Sequence, residues 1–205
     1  MQNKITRQLF NWLEPTLAQT FAGRATVGLW ETDDPNGLPV DEIYESYDVD
    51  PVIVGWIQLY RVEPNYKTLE LLRPYFEGSF VIGFELSPFQ QNVFNALGVP
   101  YVSIAFHALR FMRDYKFMLN SNFGNLQALQ RFALPPEQIG FAAQLRRAQF
   151  RETPLDLKGR AAVLFGQVEI DTALIGGRGL ISLQDHITEI SQLCAEFDTV
   201  YFKPH

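Results

Sequence analysis

Seven polar or ionisable side chains come soon after apolar segments that are typical of buried β-strands. They are Glu85, His107, Arg110, Gln167, Asp171, Lys203 and His205. Because the carboxyl ends of parallel strands meet at one edge of a sheet, and ligands of open α/β sheets bind there, we expect these side chains to face a ligand. A carboxylate in that place can act as a base, an acid or a nucleophile.

Five of these residues also have an ordinary structural interpretation. Glu85 precedes a predicted helix, so its carboxylate could simply favour the helix N-terminus. Asp171 could be a loop or N-cap residue, and His107 could be a buried histidine with satisfied ring nitrogens. Lys203 and His205 could belong to a frayed chain end. Taken singly, the residues leave both interpretations open.

The composition excludes several classes of function. The 205 residues include 47% hydrophobic and 20% charged residues, as in an ordinary globular protein. The net charge of −6 gives no general attraction to nucleic acid, so no nucleic-acid partner is expected. Three histidines and one cysteine show no metal-ligand spacing, and we expect neither a metal nor a cofactor. The lone Cys194 and the lack of a long apolar run predict a cytoplasmic protein.

Two segments are candidates for peripheral contact with a membrane. The first predicted helix, at residues 4–22, carries Trp12 and Leu13 near Arg7. Later in the chain, five basic residues that could bind an anionic acceptor or lipid headgroups lie close together: Arg146, Arg147, Arg151, Lys158 and Arg160. The alternatives are that the helix packs onto its own domain and that the basic residues form a solvated helix face and linker.

Apolar runs alternate with helical periodicity along most of the chain, which predicts an α/β fold with a parallel sheet covered on both faces. The predicted strands are residues 25–30, 51–57, 79–85, 101–106, 161–165 and 199–202. The predicted helices are residues 4–22, 65–76, 88–97, 110–120, 122–132, 136–151 and 182–197. Ser87 is the expected N-cap of the helix at residues 88–97, and Gly98 is its expected end. Ser182, with Asp185 three residues on, is expected to begin the last helix.

The pattern restarts after a linker-like stretch at residues 153–160. We therefore predict a Rossmann-like α/β domain at residues 1–152 and the start of a second Rossmann-like domain at residues 161–205. The second part contains a single β-α-β unit, which cannot bury both faces of its sheet alone. The sequence stops at the carboxyl end of a strand, so we expect this second domain to be incomplete.

Two motifs in the second part resemble those of a known family. Gly166-Gln-Val-Glu-Ile-Asp171, followed later by Tyr201-Phe-Lys-Pro-His205, resembles the QxxxD and KPHP motifs of the bacterial capsule polysaccharide biosynthesis proteins and retaining β-Kdo glycosyltransferases. Three segments of the first part are similar to that family's first-domain signatures: Phe84-Glu-Leu-Ser-Pro88, Val99-Pro-Tyr-Val102 and His107-Ala-Leu-Arg-Phe111. The resemblance extends from residue 79 to the end.

The resemblance implies a two-domain GT-B-like architecture. It also implies transfer of Kdo (3-deoxy-D-manno-oct-2-ulosonic acid) from CMP-Kdo, or of another sugar from its nucleotide, to a glycan or glycolipid acceptor with retention of configuration. The resemblance implies that the catalytic residues are Asp171, Glu85 and Gln167. Lys203 and His205 would bind the phosphate of the donor, and His107 and Arg110 would make other contacts to the substrate. Asp171 would be the nucleophile, Gln167 would orient it or contact the sugar, and Glu85 would act as acid or base or hold the acceptor hydroxyl.

Two other classes of function stay open at this point. One is a non-catalytic remnant or interaction domain with the same fold. The other is a sugar-nucleotide epimerase, since such enzymes share the GT-B architecture. Epimerisation of a UDP-sugar in the absence of an acceptor would distinguish the epimerase from a transferase.

Overall fold

A computed structural model describes residues 2–22, 37–107, 109, 112, 114, 116–124, 127–149, 159–166, 171–176 and 179–204. The chain divides into two compact units, Met1–Arg146 and Arg147–His205, and its architecture is mixed α/β. The predicted strand at residues 25–30 lies outside the described residues. So does the predicted linker at residues 153–160, apart from Gly159 and Arg160.

Helices dominate the order of elements along the chain. The helices are α1 (Gln2–Thr20), α2 (Val40–Glu45), α3 (Ile53–Leu59), α4 (Tyr66–Phe76), α5 (Pro88–Leu97), α6 (Gln127–Gln130), α7 (Pro136–Gln149) and α8 (Ile187–Cys194). The strands are β1 (Val81–Phe84), β2 (Tyr101–Phe106), β3 (Phe117–Ser121), β4 (Ala161–Phe165) and β5 (Thr199–Lys203). Short 3₁₀ helices lie at Thr172–Leu174 and Leu183–His186.

Local signals define α5 at both ends, as predicted. The Ser87 hydroxyl accepts a hydrogen bond from the Gln90 N–H at 3.2 Å, and the Ser87 N–H donates to Gln90 Oε1 at 2.8 Å. This capping box satisfies two amides at the start of the helix, and Pro88 fits the first turn because it has no N–H to satisfy. Gly98 ends the helix in the left-handed region, with φ of 69°.

The sheet of the first unit has the order β1-β2-β3. β1 and β2 are parallel, with a register from Val81↔Tyr101 to Phe84↔Ile104. β3 is antiparallel to β2, so the sheet is mixed and the prediction of a wholly parallel sheet is wrong for this unit. In the second unit β4 and β5 form a parallel pair with α8 between them in sequence, as predicted.

The prediction of a strand at residues 51–57 is also wrong, because Ile53–Leu59 forms helix α3. Its first helical hydrogen bond runs from the Trp56 N–H to the Val52 carbonyl at 2.9 Å. A side chain at position 55 would overlap the Asp50 carbonyl oxygen, so Gly55 allows a close approach that other residues would prevent. A short apolar run does not by itself distinguish a buried strand from a short helix.

The third difference concerns the segment predicted as a helix at residues 110–120, which ends in strand β3. β3 pairs with the side of β2 that β1 leaves open, from Val102↔Ser121 to Phe106↔Phe117. The rings of Phe106 and Phe117 stack at 5.6 Å between centroids. This long-range pairing overrides the local helical pattern. The helix predicted at residues 122–132 is reduced to the short α6.

The hydrophobic core lies in the first unit, where α2, α4 and α5 pack against the sheet. Its main cluster of buried side chains is Ile43, Leu72, Phe89, Val93, Phe94, Val99 and Tyr101. Across the part of the chain that the structure describes, Ile175 is the one buried hydrophobic residue of the second unit. β5 is exposed along its whole length. No described helix is both long enough and apolar enough to span a bilayer.

Candidate functional site

Glu85 and His107 leave the sheet of the first unit at the same edge, the carboxyl edge of β1 and β2. The Glu85 N–H donates to the Ile104 carbonyl at 2.8 Å, which extends the parallel pairing by one residue beyond Phe84. His107 follows the end of β2, and its N–H donates to the Lys116 carbonyl at 2.8 Å. The structure therefore places two of the residues that the sequence singled out at the same edge of the sheet.

Glu85 has an unusual backbone conformation for a residue at the end of a strand. Its φ is 52°, in the left-handed region, and its side chain is exposed. Such a conformation costs a residue with a Cβ about 1–2 kcal/mol. Ala22 and Asp48, the other described non-glycine residues with positive φ, lie just after helices, where left-handed residues are ordinary. The strain at Glu85 therefore requires a local structure that holds it.

That local structure involves the residue after Glu85. The Leu86 N–H donates to the Ser103 hydroxyl oxygen at 3.1 Å, and the Leu86 carbonyl accepts from Gln91 Nε2 at 2.7 Å. Neither Ser103 nor Gln91 was singled out from the sequence. Ser103 gave a weak signal, since it is a polar residue inside an otherwise apolar strand. Gln91 gave none, because a glutamine in a helix is usually a surface residue.

A backbone contact fixes the orientation of the His107 ring. The Leu109 N–H donates to His107 Nδ1 at 3.1 Å. Because Nδ1 accepts a hydrogen bond, the neutral imidazole carries its proton on Nε2. His107 is half-buried, so part of this residue is open to solvent at the edge on which Glu85 lies.

The start of α5 also lies at this edge, but its amides already have partners. The Phe89 N–H donates to the Tyr60 carbonyl at 3.1 Å, and the Gln90 and Gln91 N–H groups donate to the hydroxyl and carbonyl oxygens of Ser87. A helix N-terminus binds anions through amides without protein partners. This helix start is therefore not an anion site.

In the second unit, Asp171 follows β4 in sequence and Lys203 is the last residue of β5. Asp171 is the N-cap of a 3₁₀ helix, and its Oδ1 accepts from the Ala173 N–H at 2.8 Å. The Lys203 carbonyl accepts from the Gly166 N–H at 2.8 Å, and Lys203 Nζ lies 5.9 Å from the centroid of the Phe165 ring. The capping role of Asp171 uses one carboxylate oxygen and agrees with the structural alternative drawn from the sequence.

Three of the residues selected from the sequence lie outside the described residues. They are Arg110, Gln167 and His205. The structure thus shows Glu85 and His107 at one edge of the first unit, and in the second unit Asp171 after β4 in sequence and Lys203 at the end of β5. Among the residues it describes, it shows no group of three or more side chains that could hold a metal ion.

A cavity of about 180 Å³ lies at the opposite, amino edge of the first sheet. It is lined by the ends of α4 and α5 and by the residues that lead into β1 and β2, which include Glu77, Ser79, Gly98 and Pro100. Two helix C-termini meet there, and their carbonyl dipoles disfavour an anionic ligand. The cavity is therefore not part of the edge that carries Glu85 and His107.

No family model, curated protein or solved structure matches the chain. The assignment of a function therefore depends on the strand-end side chains, their local geometry and the two motifs of the second unit.

Proposed function

We propose that the chain is part of a sugar-nucleotide-dependent glycosyltransferase of capsule or surface polysaccharide biosynthesis, which transfers Kdo from CMP-Kdo with retention. The observation that carries the proposal is Glu85, a glutamate with a left-handed backbone at the carboxyl edge of a parallel strand pair, beside the strand end that carries His107. Strained residues at this edge of an α/β sheet are typical of functional sites. A GT-B-like arrangement of two Rossmann-like domains is part of the proposal.

In the proposed reaction, the Asp171 carboxylate attacks the anomeric carbon of Kdo, and the bond from that carbon to CMP breaks. The acceptor hydroxyl then attacks the same carbon, Glu85 takes the hydroxyl proton, and the Asp171 carboxylate is released. Two successive displacements retain the configuration. Gln167 orients Asp171, and Lys203 and His205 stabilise the charge of the departing CMP.

On the acceptor side, His107 and Arg110 contact the substrate. The protonated Nε2 of His107 supplies a hydrogen-bond donor for a sugar oxygen, and the Arg110 guanidinium supplies a positive charge for an acidic group. The acceptor is a glycan or glycolipid. A cytoplasmic protein with peripheral contact to the inner membrane belongs to the same proposal, because a glycolipid acceptor is presented at the membrane surface.

Intact-mass measurement after incubation with CMP-Kdo tests this function. The proposal expects the mass to increase by one Kdo residue, and expects Asp171→Asn to abolish the increase. Because an asparagine oxygen can still accept from the Ala173 N–H, this variant should keep its thermal stability.

Asp185→Asn is the matched control, since Asp185 also accepts a backbone N–H beside a 3₁₀ helix of the same unit, from Ser182 at 2.6 Å. It should keep the adduct. An adduct that survives Asp171→Asn would reject Asp171 as the nucleophile, and epimerisation of a UDP-sugar without acceptor would reject transfer.

A further inference from the structure

We propose that Ser103 and Gln91 are positioning residues for Glu85, which they act on through the peptide groups of Leu86. Ser103 lies in β2 and Gln91 in α5, so two different elements hold the residue that follows the glutamate. The inference rests on the proposed role of Glu85 as the acid or base of the transfer reaction.

Hydrogen bonds fix three successive peptide planes around Glu85. The plane before Glu85 is held by its own N–H on Ile104 at 2.8 Å, and the plane after it by the Leu86 N–H on Ser103 Oγ at 3.1 Å. The next plane is held at both ends: Gln91 Nε2 donates to the Leu86 carbonyl at 2.7 Å, and the Ser87 N–H donates to Gln90 Oε1. The first two planes flank the Glu85 Cα atom and determine its φ and ψ, so their bonds hold Glu85 in the left-handed region, and the Gln91 bond supports them by fixing the plane that follows Leu86.

The two clamping side chains are themselves fixed. Ser103 is buried, with 6% of its surface exposed. Gln91 Oε1 accepts from the Tyr101 hydroxyl and from Asn120 Nδ2, both at 3.1 Å. These two donors identify the oxygen of the Gln91 amide, so its nitrogen must face the Leu86 carbonyl.

The side chain of Leu86 completes the clamp. It folds back over β1, where a Cβ at position 83 would overlap it, so Gly83 leaves the space that Leu86 fills. Gly83 is buried, and Leu86 packs against the hydrophobic core. The backbone on both sides of Glu85 is therefore tied to the core, while the glutamate side chain is exposed at the edge.

A glycine–alanine comparison at position 85 measures the clamp without any substrate. Glycine is favoured over alanine where φ is positive, and alanine is favoured where φ is negative. With the clamp intact, we expect Glu85→Gly to melt about 2 °C above Glu85→Ala. When Ser103→Ala or Gln91→Ala is added to both position-85 variants, the difference in their melting temperatures should vanish or reverse. The loosened backbone can then relax to negative φ at position 85.

Ser46→Ala is the matched control for Ser103→Ala. It removes a part-buried hydroxyl of the same unit, whose partners are Ile43, Asn65 and Thr68, away from the clamp. Asn92→Ala is the control for Gln91→Ala, since the Asn92 amide of the same helix bonds Glu63. Both controls should keep the glycine–alanine difference, and an unchanged difference in the clamp variants would overturn the proposal.

Steady-state release of CMP from CMP-Kdo supplies the functional readout, because each turnover then includes the second displacement, in which Glu85 takes a proton from water that replaces the acceptor. A glutamate that leaves its position should reduce kcat about tenfold or more and leave kcat/KM for CMP-Kdo within about twofold, because Glu85 acts after CMP has departed. A normal kcat in both Ser103→Ala and Gln91→Ala would overturn their positioning role. If the unaltered protein releases no CMP, the proposed function fails, whereas the melting comparison still decides whether the clamp exists.

Discussion

Glu85 in the first unit and Asp171 in the second unit both follow parallel strands, but they are supported in different ways. Glu85 lies between peptide groups that are bonded to β2 and α5, and these elements belong to the hydrophobic core. Asp171 is held by a bond to an amide two residues further along its own chain. A carboxylate that follows a parallel strand in sequence thus depends on long-range structure in one unit and on local structure in the other.

The same contrast appears in how the two units bury apolar surface. Leu72, at the centre of the first core, has 1% of its surface exposed, whereas Val163 and Phe165 of β4 have 49% and 66%. Burial of apolar surface is the main source of stability, so it is the first unit that can hold a strained residue in place. The comparison teaches that a strand-end motif alone does not establish that its residues are rigidly positioned.

The largest effect should come from the core itself. Leu72→Ala should lower the free energy of unfolding of the first unit by about 3 kcal/mol, because it leaves a cavity in the main cluster. Val163→Ala should lower that of the second unit by less than about 1 kcal/mol, since half of this side chain is already exposed.

Urea unfolding followed by tryptophan fluorescence reports the first unit, since every tryptophan of the sequence precedes residue 57. Hydrogen exchange of β4 amides reports the second unit. Equal costs for the two substitutions would contradict the difference in packing between the units.

Two glycines with positive φ, one in each unit, sharpen the comparison. At these two positions it is the second unit that leaves less room for an added Cβ atom. The Cβ added by Gly98→Ala meets open space. The left-handed backbone alone should therefore lower the free energy of unfolding of the first unit, by about 1 kcal/mol. At Gly159 an added Cβ would also overlap the Asp198 carboxylate, which accepts the Arg160 N–H at 2.7 Å. Gly159→Ala should therefore cost about 2 kcal/mol.

Thermal melting of the first unit and hydrogen exchange of Arg160 measure these two costs. Gly140→Ala in α7, where the new Cβ meets open space, is the control and should stabilise slightly. A larger loss at Gly98 than at Gly159 would show that the Asp198 contact places no constraint on the turn.

The smallest expected effects concern the pH dependence of stability, which should differ between the two units. Burial raises the pKa of Tyr101 above its ordinary 10.0, so its contribution to the first unit is complete below pH 10 and is lost as the pH rises through the folded value. Hydrogen bonds from the Ser182 backbone and then its hydroxyl lower the pKa of Asp185 below its ordinary 3.8. Its contribution to the second unit is present above pH 3.8 and is lost as the pH falls through the folded value.

Melting curves of Tyr101→Phe and Asp185→Asn across the pH range test this separation. Tyr101→Phe should weaken the alkaline loss of stability in the first unit, and Asp185→Asn should weaken the acid loss in the second. If either substitution altered the pH dependence of the other unit, the assignment of these two groups would be wrong.

The parts of the fold that follow local rules were predictable from the sequence. Ser87 and Gly98 marked the ends of α5 because capping and left-handed termination depend on neighbouring residues alone. Ser182 with Asp185 likewise predicted the start of the last helical segment, although its first turn is a 3₁₀ helix. In the same way, Glu85 and His107 could be assigned to one edge once both strands were recognised as parallel.

The features that the sequence did not predict depend on contacts between distant segments. β3 forms because β1 leaves the backbone groups along one side of β2 unpaired. Residues 117–121 can hydrogen-bond to that side, although their sequence also fits a helical pattern. α3 packs closely because Gly55 meets Asp50, which no periodicity reveals. The clamp on Leu86 joins residues that are five and seventeen positions away in sequence, so its members look unremarkable until the fold is known.

The position of Lys203 has a consequence for the solution behaviour of the second unit. Its ammonium group lies over Phe165, on a parallel strand pair whose apolar side chains Val163 and Tyr201 are also exposed. A positive charge on such a surface acts as a gatekeeper, because stacking a second sheet there would strip water from the ammonium group. Removing this charge should therefore promote self-association. A lower yield, or increased turbidity, in a Lys203 variant would then reflect aggregation as well as any loss of phosphate binding.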